Sequence, residues 1–239
     1  MITSVSNEKI KEILGLRQRK TRDELDLFVI EGRHLVNEAL NLGIVQTLYT
    51  TLDEYMNLPN VYLVNEFVMK KISEVMEPQG VVALCRKPKI KPLSNRILLL
   101  DRIQDPGNFG TLLRSALAFG FETVLYEESV DPFNPKVLRS TQGAIFNLNL
   151  IETDLSGFID QHPEYIFYGT ALKNAVSLTT IPRSDRKIAI ILGNEGSGVR
   201  LELLQKTAAD IFIDIELVES LNVAVAGSII MHHLRRLEP

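Results

Sequence analysis

The chain has 239 residues, 45% hydrophobic and 23% charged, an ordinary globular balance that excludes wholesale disorder; at roughly 100–200 residues per domain it holds one large domain or two small ones. No apolar run approaches the ~18 residues needed to span a membrane, and the opening MITSVSNEKIKEIL lacks the basic-then-apolar order of a secretion signal. Twenty-six basic against 30 acidic residues give a net charge of −4, which argues against non-specific nucleic-acid coating, while a lone cysteine, Cys85, and four scattered histidines argue against disulfides and zinc and fit a reducing cytoplasm.

Residues 7–19 read as a short helix beginning after Ser6. Leu27–Ile30 reads as a strand and Gly32–Leu42 as a helix stopped by Gly43. Strands follow at Val45–Thr50, Val61–Val64 and Val81–Cys85, with a helix around Glu66–Met76. This alternation predicts a small α/β sandwich. Two stretches are strongly basic: Lys9 to Arg22 carries six bases and one acid, and RKPKIKPLSNR, Arg86–Arg96, carries five bases and no acid. Each is either a solvated face or a phosphate-contacting surface. Pro88, Pro92 and Ser94-Asn95 make the second an extended connector. The reading is therefore a first domain over residues 1–87, a linker over 88–95 and a second domain over 96–239.

In the second domain Ile97–Leu100 is a continuous apolar run, expected of a strand buried on both faces. A loop, DRIQDPGNFG, precedes a helix over TLLRSALAF, closed by Gly120. Further strands are expected at Thr123–Tyr126, Ile145–Leu150, Ile166–Gly169 and Ile188–Leu192, and a final helix over Leu221–Leu237. The expected fold is a mostly parallel sheet covered by helices, with ligands bound beyond the carboxyl ends of its strands.

Three polar loops stand out. Asp105-Pro106-Gly107-Asn108-Phe109-Gly110 opens a helix that carries Arg114, and Asn108 can serve as its cap. Leu192-Gly193-Asn194-Glu195-Gly196-Ser197-Gly198 follows an apolar strand; its glycines let backbone approach a ligand. It lacks both the G-x-x-x-x-G-K-[ST] and G-x-G-x-x-G spacings, which disfavours a nucleoside triphosphate or a dinucleotide. Glu219–Ala226 starts the last helix, with Ser220 as a candidate cap and Asn222 beside it; Ala224, Ala226 and Gly227 mark close packing, within the fold or against a second subunit. Taken singly, each loop also reads as an ordinary cap or turn.

Together, N-x-G-x-x-x-R, L-G-N-E-G-x-G-V and S-L-N-V-A-V-A, in this order, resemble the three motifs of the SpoU/TrmH family of RNA 2′-O-ribose methyltransferases. The resemblance covers Asn95 to about Arg236; more loosely, FVIEGRHLVNEAL resembles the amino-terminal substrate-binding domain of that family, related to ribosomal proteins that bind kinked RNA. It implies an α/β methyltransferase domain with a carboxy-terminal trefoil knot, preceded by a small α/β ribosomal-protein-like RNA-binding domain. It also implies S-adenosylmethionine as cofactor, no metal, a homodimer, and an RNA substrate, with ribosomal RNA of the large subunit preferred over transfer RNA; no membrane or DNA partner is expected. By position, Arg114, Asn108, Glu195, Ser220 and Asn222 match the family's polar active-site residues. Gly193, Ile213 and Leu221, with Leu192, Asn194, Gly196 and Leu217, match the cofactor-holding loops, and Thr170, Ala171 and Leu172 match the strand end beside the cofactor's methionine moiety. Before the third motif the family usually carries a proline and a glycine; here Ile213-Asp214-Ile215-Glu216-Leu217-Val218 is shorter and holds two acids. A non-catalytic RNA-binding member that has lost its cofactor is the alternative that this loop raises.

Overall fold

The computed structural model of the protein describes residues 1–235, which divide into two compact units. One is Met1–Pro88 together with Asp131–Phe146; the other is Lys89–Val130 with the chain from Asn147 onward.

In the first unit the Asn7 side chain caps α1 (Glu8–Gly15) by accepting from the Lys9 N–H. Where one helix is expected over 7–19 there are two, α1 and α2 (Arg19–Leu25), because Leu16 drops into the core and Gln18 turns extended. Strand β1 (Leu27–Glu31), helix α3 (Arg33–Asn41), strands β2 (Val45–Thr50) and β3 (Val61–Leu63), helix α4 (Glu66–Ile72) and strand β4 (Val81–Arg86) follow. α4 stops short of Met76: Ser73 is extended, and its hydroxyl donates to the Glu31 carboxylate. The sheet order is β1-β4-β2-β3, with β2 and β3 parallel and the other pairs antiparallel. Ile10, Ile13, Tyr49, Val68, Met69 and Val82 form its core.

The basic run from Lys9 to Arg22 is largely engaged inside this unit. Arg22 is buried, paired with Asp131 and bonded to the Leu16 and Arg17 carbonyls. Arg17 pairs with Glu74, Arg19 with Asp23 and Lys20 with Glu24.

The second unit begins with β5 (Arg96–Asp101), all six residues of which are buried, and α5 (Pro106–Ala118). In chain order there follow β6 (Thr123–Glu127), then α6 (Pro135–Thr141), which belongs to the first unit, and then β7 (Asn149–Glu152), α7 (Leu155–Gln161), β8 (Ile166–Thr170), β9 (Val176–Ser177), β10 (Ile188–Gly193), α8 (Leu201–Leu204), β11 (Ala209–Phe212) and α9 (Val223–Leu234) of the second. The seven strands are all parallel, in the order β7-β6-β5-β10-β8-β11-β9. The strand expected over 145–150 is instead a 3-10 turn, Ala144–Phe146, followed by β7. Residues 236 and 237 of the expected last helix lie outside the described residues. α9 packs on α5 and β10; a side chain at Gly227 would meet Leu192 and Leu112. Arg96, in the second basic stretch, is buried with its guanidinium on the carbonyls of Leu234 and Ser184.

Helix α6 and its flanks, Asp131–Phe146, interrupt the sequence of the second unit but pack with the first. Phe133 and Phe146 lie against Phe28 with ring centroids 4.9 and 6.1 Å apart, Asp131 meets Arg22, and Arg139 pairs with Glu31 at 3.2 Å.

Candidate active site

A cavity of about 540 Å³ opens at the carboxyl ends of β8, β10 and β11, the crevice position of a parallel sheet. Asn108, Thr170, Ala171, Leu172, Leu192, Gly193, Asn194, Glu195, Gly196, Ile213, Ser220, Leu221 and Asn222 line it. Of the residues singled out from the sequence, Arg114 and Leu217 do not. Arg114 is exposed on α5 with no hydrogen-bond or ion-pair partner among the described residues. Leu217 is fully exposed at a left-handed φ of 63°. Earlier in its loop, the Asp214 carboxylate accepts from the hydroxyl of Ser177, the last residue of β9. The cavity also uses Gly198, Ile211, Phe212, Ile215, Val223, Ala226 and Ile230. Val223, Ala226 and Ile230 are spaced by three and four residues on one face of α9, a visible signal; Ile211 and Phe212 sit on β11, too short a strand to read from periodicity.

The loop before α5 works differently from the expectation. Pro106 fills the first helical position and Asp105 is the cap, its carboxylate accepting the Asn108 N–H at 2.8 Å. Asn108 is therefore a third-position residue whose side chain is free to act elsewhere. Its amide donates to Glu195 Oε1 at 3.1 Å, and its carbonyl accepts from Asn222 Nδ2 at 2.9 Å. Asn222, rather than Ser220, caps α9, its Oδ1 accepting from Ala224 N at 2.9 Å and Val225 N at 3.3 Å. A continuous relay thus runs from a carboxylate through two amides to a helix N-terminus and joins all three loops. Each amide has a fixed orientation because its two ends face partners of opposite kind.

Glu195 also accepts the N–H groups of Gln104 at 3.3 Å and Asp105 at 3.2 Å. Burial pushes its carboxyl upward, but the Asn108 amide and these backbone donors outweigh it and hold the group below its ordinary value. Among the described residues it is the one charged residue lining the cavity. The glycine loop is tightly folded: Asn194 Oδ1 accepts from Gly196 and Ser197, and its Nδ2 donates to the Arg102 carbonyl at 2.9 Å. At Gly193 a Cβ would lie 2.1 Å from the Val199 nitrogen and 2.2 Å from the Gly198 carbonyl carbon, so only glycine fits.

These features fit a nucleoside-type cofactor with a sulfonium. The volume is in the small-ligand range of roughly 300–1,000 Å³. Leu192, Ile211, Ile213, Leu221 and Ile230 give apolar walls for a heterocycle, and the anionic Glu195 complements a cation. No group of three or more metal-type ligands occurs among the described residues.

A family model described as the SpoU rRNA Methylase family matches residues 95–232, and one described as an MRM3-like substrate binding domain matches residues 7–83. The chain is 38% identical to the 23S rRNA (guanosine(2553)-2'-O)-methyltransferase RlmP of Bacillus subtilis (strain 168), with 98% of each chain covered. It is 34% identical to the mitochondrial rRNA methyltransferase 3 of Xenopus tropicalis over 67% of this chain and 43% of that one. In three dimensions it is similar to an AdoMet-bound rRNA methyltransferase from Sinorhizobium meliloti, at a TM-score of 0.86 and 31% identity, covering 98% of this chain and 96% of that one. The chain belongs to the SpoU rRNA methylase family, with an MRM3-like substrate-binding domain ahead of its S-adenosylmethionine-dependent methyltransferase domain.

Proposed function

We propose that the protein methylates a ribose 2′-hydroxyl of large-subunit ribosomal RNA. The observation that carries this reading is the Glu195–Asn108–Asn222 relay, which joins three loops at one cofactor-sized cavity. The B. subtilis relative supports the choice of RNA and makes its guanosine the first position to examine.

S-adenosylmethionine supplies an electrophilic methyl group on a sulfonium. The loops Leu192–Gly198 and Ile213–Leu221, with Thr170–Leu172, are the candidates to hold it. The chain's own task is to bring a ribose oxygen within the ~3–3.5 Å of a reactive approach and to stabilise that oxygen as its proton leaves. Arg114 is suited to this because it is exposed and unpaired among the described residues. An arginine keeps its charge at neutral pH and presents a planar fork, so Arg114 grips the RNA phosphate beside the reacting ribose and stabilises the developing alkoxide. Asn108 and Asn222, locked by the relay, and Ser220 at the cavity wall orient substrate and cofactor.

Two further features belong to the same reading. A trefoil knot in the carboxy-terminal segment is part of this proposal; it is supported by the crossovers that place β10 between β5 and β8, β11 beyond β8 and α9 on α5 and β10. The protein is a homodimer, a reading supported by Val225 and Ile229, four residues apart on α9 and 48% and 40% exposed. Light scattering should give about twice 26.9 kDa, and a monomer at micromolar concentration refutes the dimer.

The test of function is a map of ribose methylation across total RNA from cells with and without the gene. Loss of one site in large-subunit ribosomal RNA, restored by the purified protein and S-adenosylmethionine, is expected. An unchanged ribosomal map with a lost transfer-RNA site would refute the substrate; no lost ribose methylation would refute the reaction.

A further inference from the structure

The charged residues beneath the cavity, rather than those lining it, carry one more inference. Asp101 ends the central strand β5 with its side chain completely buried. Its Oδ2 accepts the Arg200 backbone N–H at 2.8 Å, and its Oδ1 accepts Arg200 Nε at 2.8 Å and Arg102 Nε at 3.2 Å. The Arg200 guanidinium reaches on to Glu127, at the end of the neighbouring strand β6, and lies 3.1 Å from Glu202. Its proton is held more firmly than usual: burial works against the charge, but Glu127 and Asp101 more than compensate.

The position of this cluster matters more than its strength. Arg102 opens the loop that leads to α5, and Arg200 directly follows the glycine loop. Between those two roots the loops are stitched together: Asn194 donates to the Arg102 carbonyl, and Glu195 accepts from Gln104 and Asp105. Every donor and acceptor in the stitching is displaced if the roots move apart. A buried ion pair contributes little net stability over an apolar replacement, because desolvation offsets the attraction. What a guanidinium fork supplies is direction, fixing one segment against two carboxylates at once.

We propose that Arg200, clamped between Asp101 and Glu127, is a positioning residue that holds the Gly193–Val199 loop in its cofactor-binding shape. The proposal rests on the reading of this cavity as the cofactor site.

The experiment measures S-adenosylhomocysteine affinity by calorimetry alongside thermal unfolding. Arg200→Met alone leaves the buried Asp101 carboxylate with Arg102 as its remaining charged partner and should lower both. The double variant Asp101→Asn/Arg200→Met removes that undercompensated charge, and its amide oxygen can still take the backbone N–H of residue 200. Its unfolding temperature should return most of the way to the wild-type value, while cofactor affinity stays at least ten-fold weaker. Arg200→Lys keeps a cation against Asp101 but loses the fork; it should unfold near the wild-type temperature and bind at least five-fold more weakly. In all three variants the amide protons of Gly196 and Ser197 should exchange faster. Affinity that recovers together with stability in the double variant overturns the proposal, as does wild-type affinity in Arg200→Lys. Ala226→Phe, which fills the cavity from α9, separates the two readings. If it leaves binding intact, the cavity is not the cofactor site; if it abolishes binding while the Arg200 variants bind normally, only the positioning role fails.

Discussion

Gly193→Ala is a demanding test of the site geometry because the obstacle is backbone. The added methyl would lie 2.1 Å from the Val199 nitrogen, 2.2 Å from the Gly198 carbonyl carbon and 2.4 Å from the Gly198 oxygen, against 3.4 Å for ordinary contact, so the loop must move by more than an ångström. Overpacking typically costs about 1–3 kcal/mol, and with no side-chain rotamer able to yield, the upper end, ~3 kcal/mol, is expected. For a chain of this size that corresponds to a fall of ~6–12 °C in unfolding temperature. The same movement pulls Asn194 and Glu195 away from their partners, so S-adenosylhomocysteine binding should be lost in calorimetry. Gly196→Ala is the matched control: its nearest non-adjacent atom is Asn194 Oδ1 at 3.6 Å, and its unfolding temperature should stay near that of the wild type. A Gly193→Ala protein with unaltered unfolding temperature and affinity would show that the loop is not packed as described.

Arg114→Ala should cut methyl transfer by at least about 10²-fold, the scale of losing one transition-state stabiliser, with cofactor affinity changed only a few-fold; near-normal turnover would remove Arg114 from the chemistry. Glu195 has a folded-state pKa below its ordinary 4.5, so its contribution to stability is complete above that pH and lost as pH falls through the folded value. The wild-type protein should therefore lose stability relative to Glu195→Gln as pH falls below the ordinary value of 4.5 and through the lower folded-state value, and parallel unfolding curves would contradict this. Asp131→Ala leaves the buried Arg22 without its carboxylate and should destabilise the first unit by about 3 kcal/mol. Glu24→Ala, which breaks an exposed i,i+4 pair, should cost under about 0.5 kcal/mol; urea titrations of the two variants check the contrast, and equal losses would refute it.

What the sequence revealed follows from which forces are local. The central strands β5 and β10 were legible because burial on both faces leaves an unbroken apolar run, and the three site loops were legible as polar, glycine-bearing interruptions after such runs. The start of α5 was misplaced although its signal was present: an aspartate followed by proline is a cap and first-position pair, and it moves Asn108 from cap to relay. The cap of α9 was likewise assigned to Ser220 when Asn222 holds it. Neither the relay nor the Asp101–Arg200 pair has a local signature, since their partners are 87 to 114 residues apart in sequence. The Lys9–Arg22 run shows the converse: a charge pattern does not disclose that Arg22 is buried against Asp131, 109 residues away.

The docking of Asp131–Phe146 onto the first unit sets an order of events during synthesis. Amino-terminal domains generally fold as soon as they leave the ribosome. Here β1 to β4 are complete by Arg86, yet Phe28 still lacks the rings of Phe133 and Phe146, and Arg22 still lacks Asp131. The nascent first unit therefore carries an uncovered aromatic surface and an arginine without its carboxylate partner while β5, α5 and β6 are being made. It closes only after residue 146 has emerged, by which time β5, which leads into the first of the three site loops, is already present while β8, β10 and β11 are not. Translation speed over residues 87–146 is thus coupled to how long a sticky intermediate is exposed, and a chaperone or the ribosome surface has its longest opportunity to hold the chain in that interval.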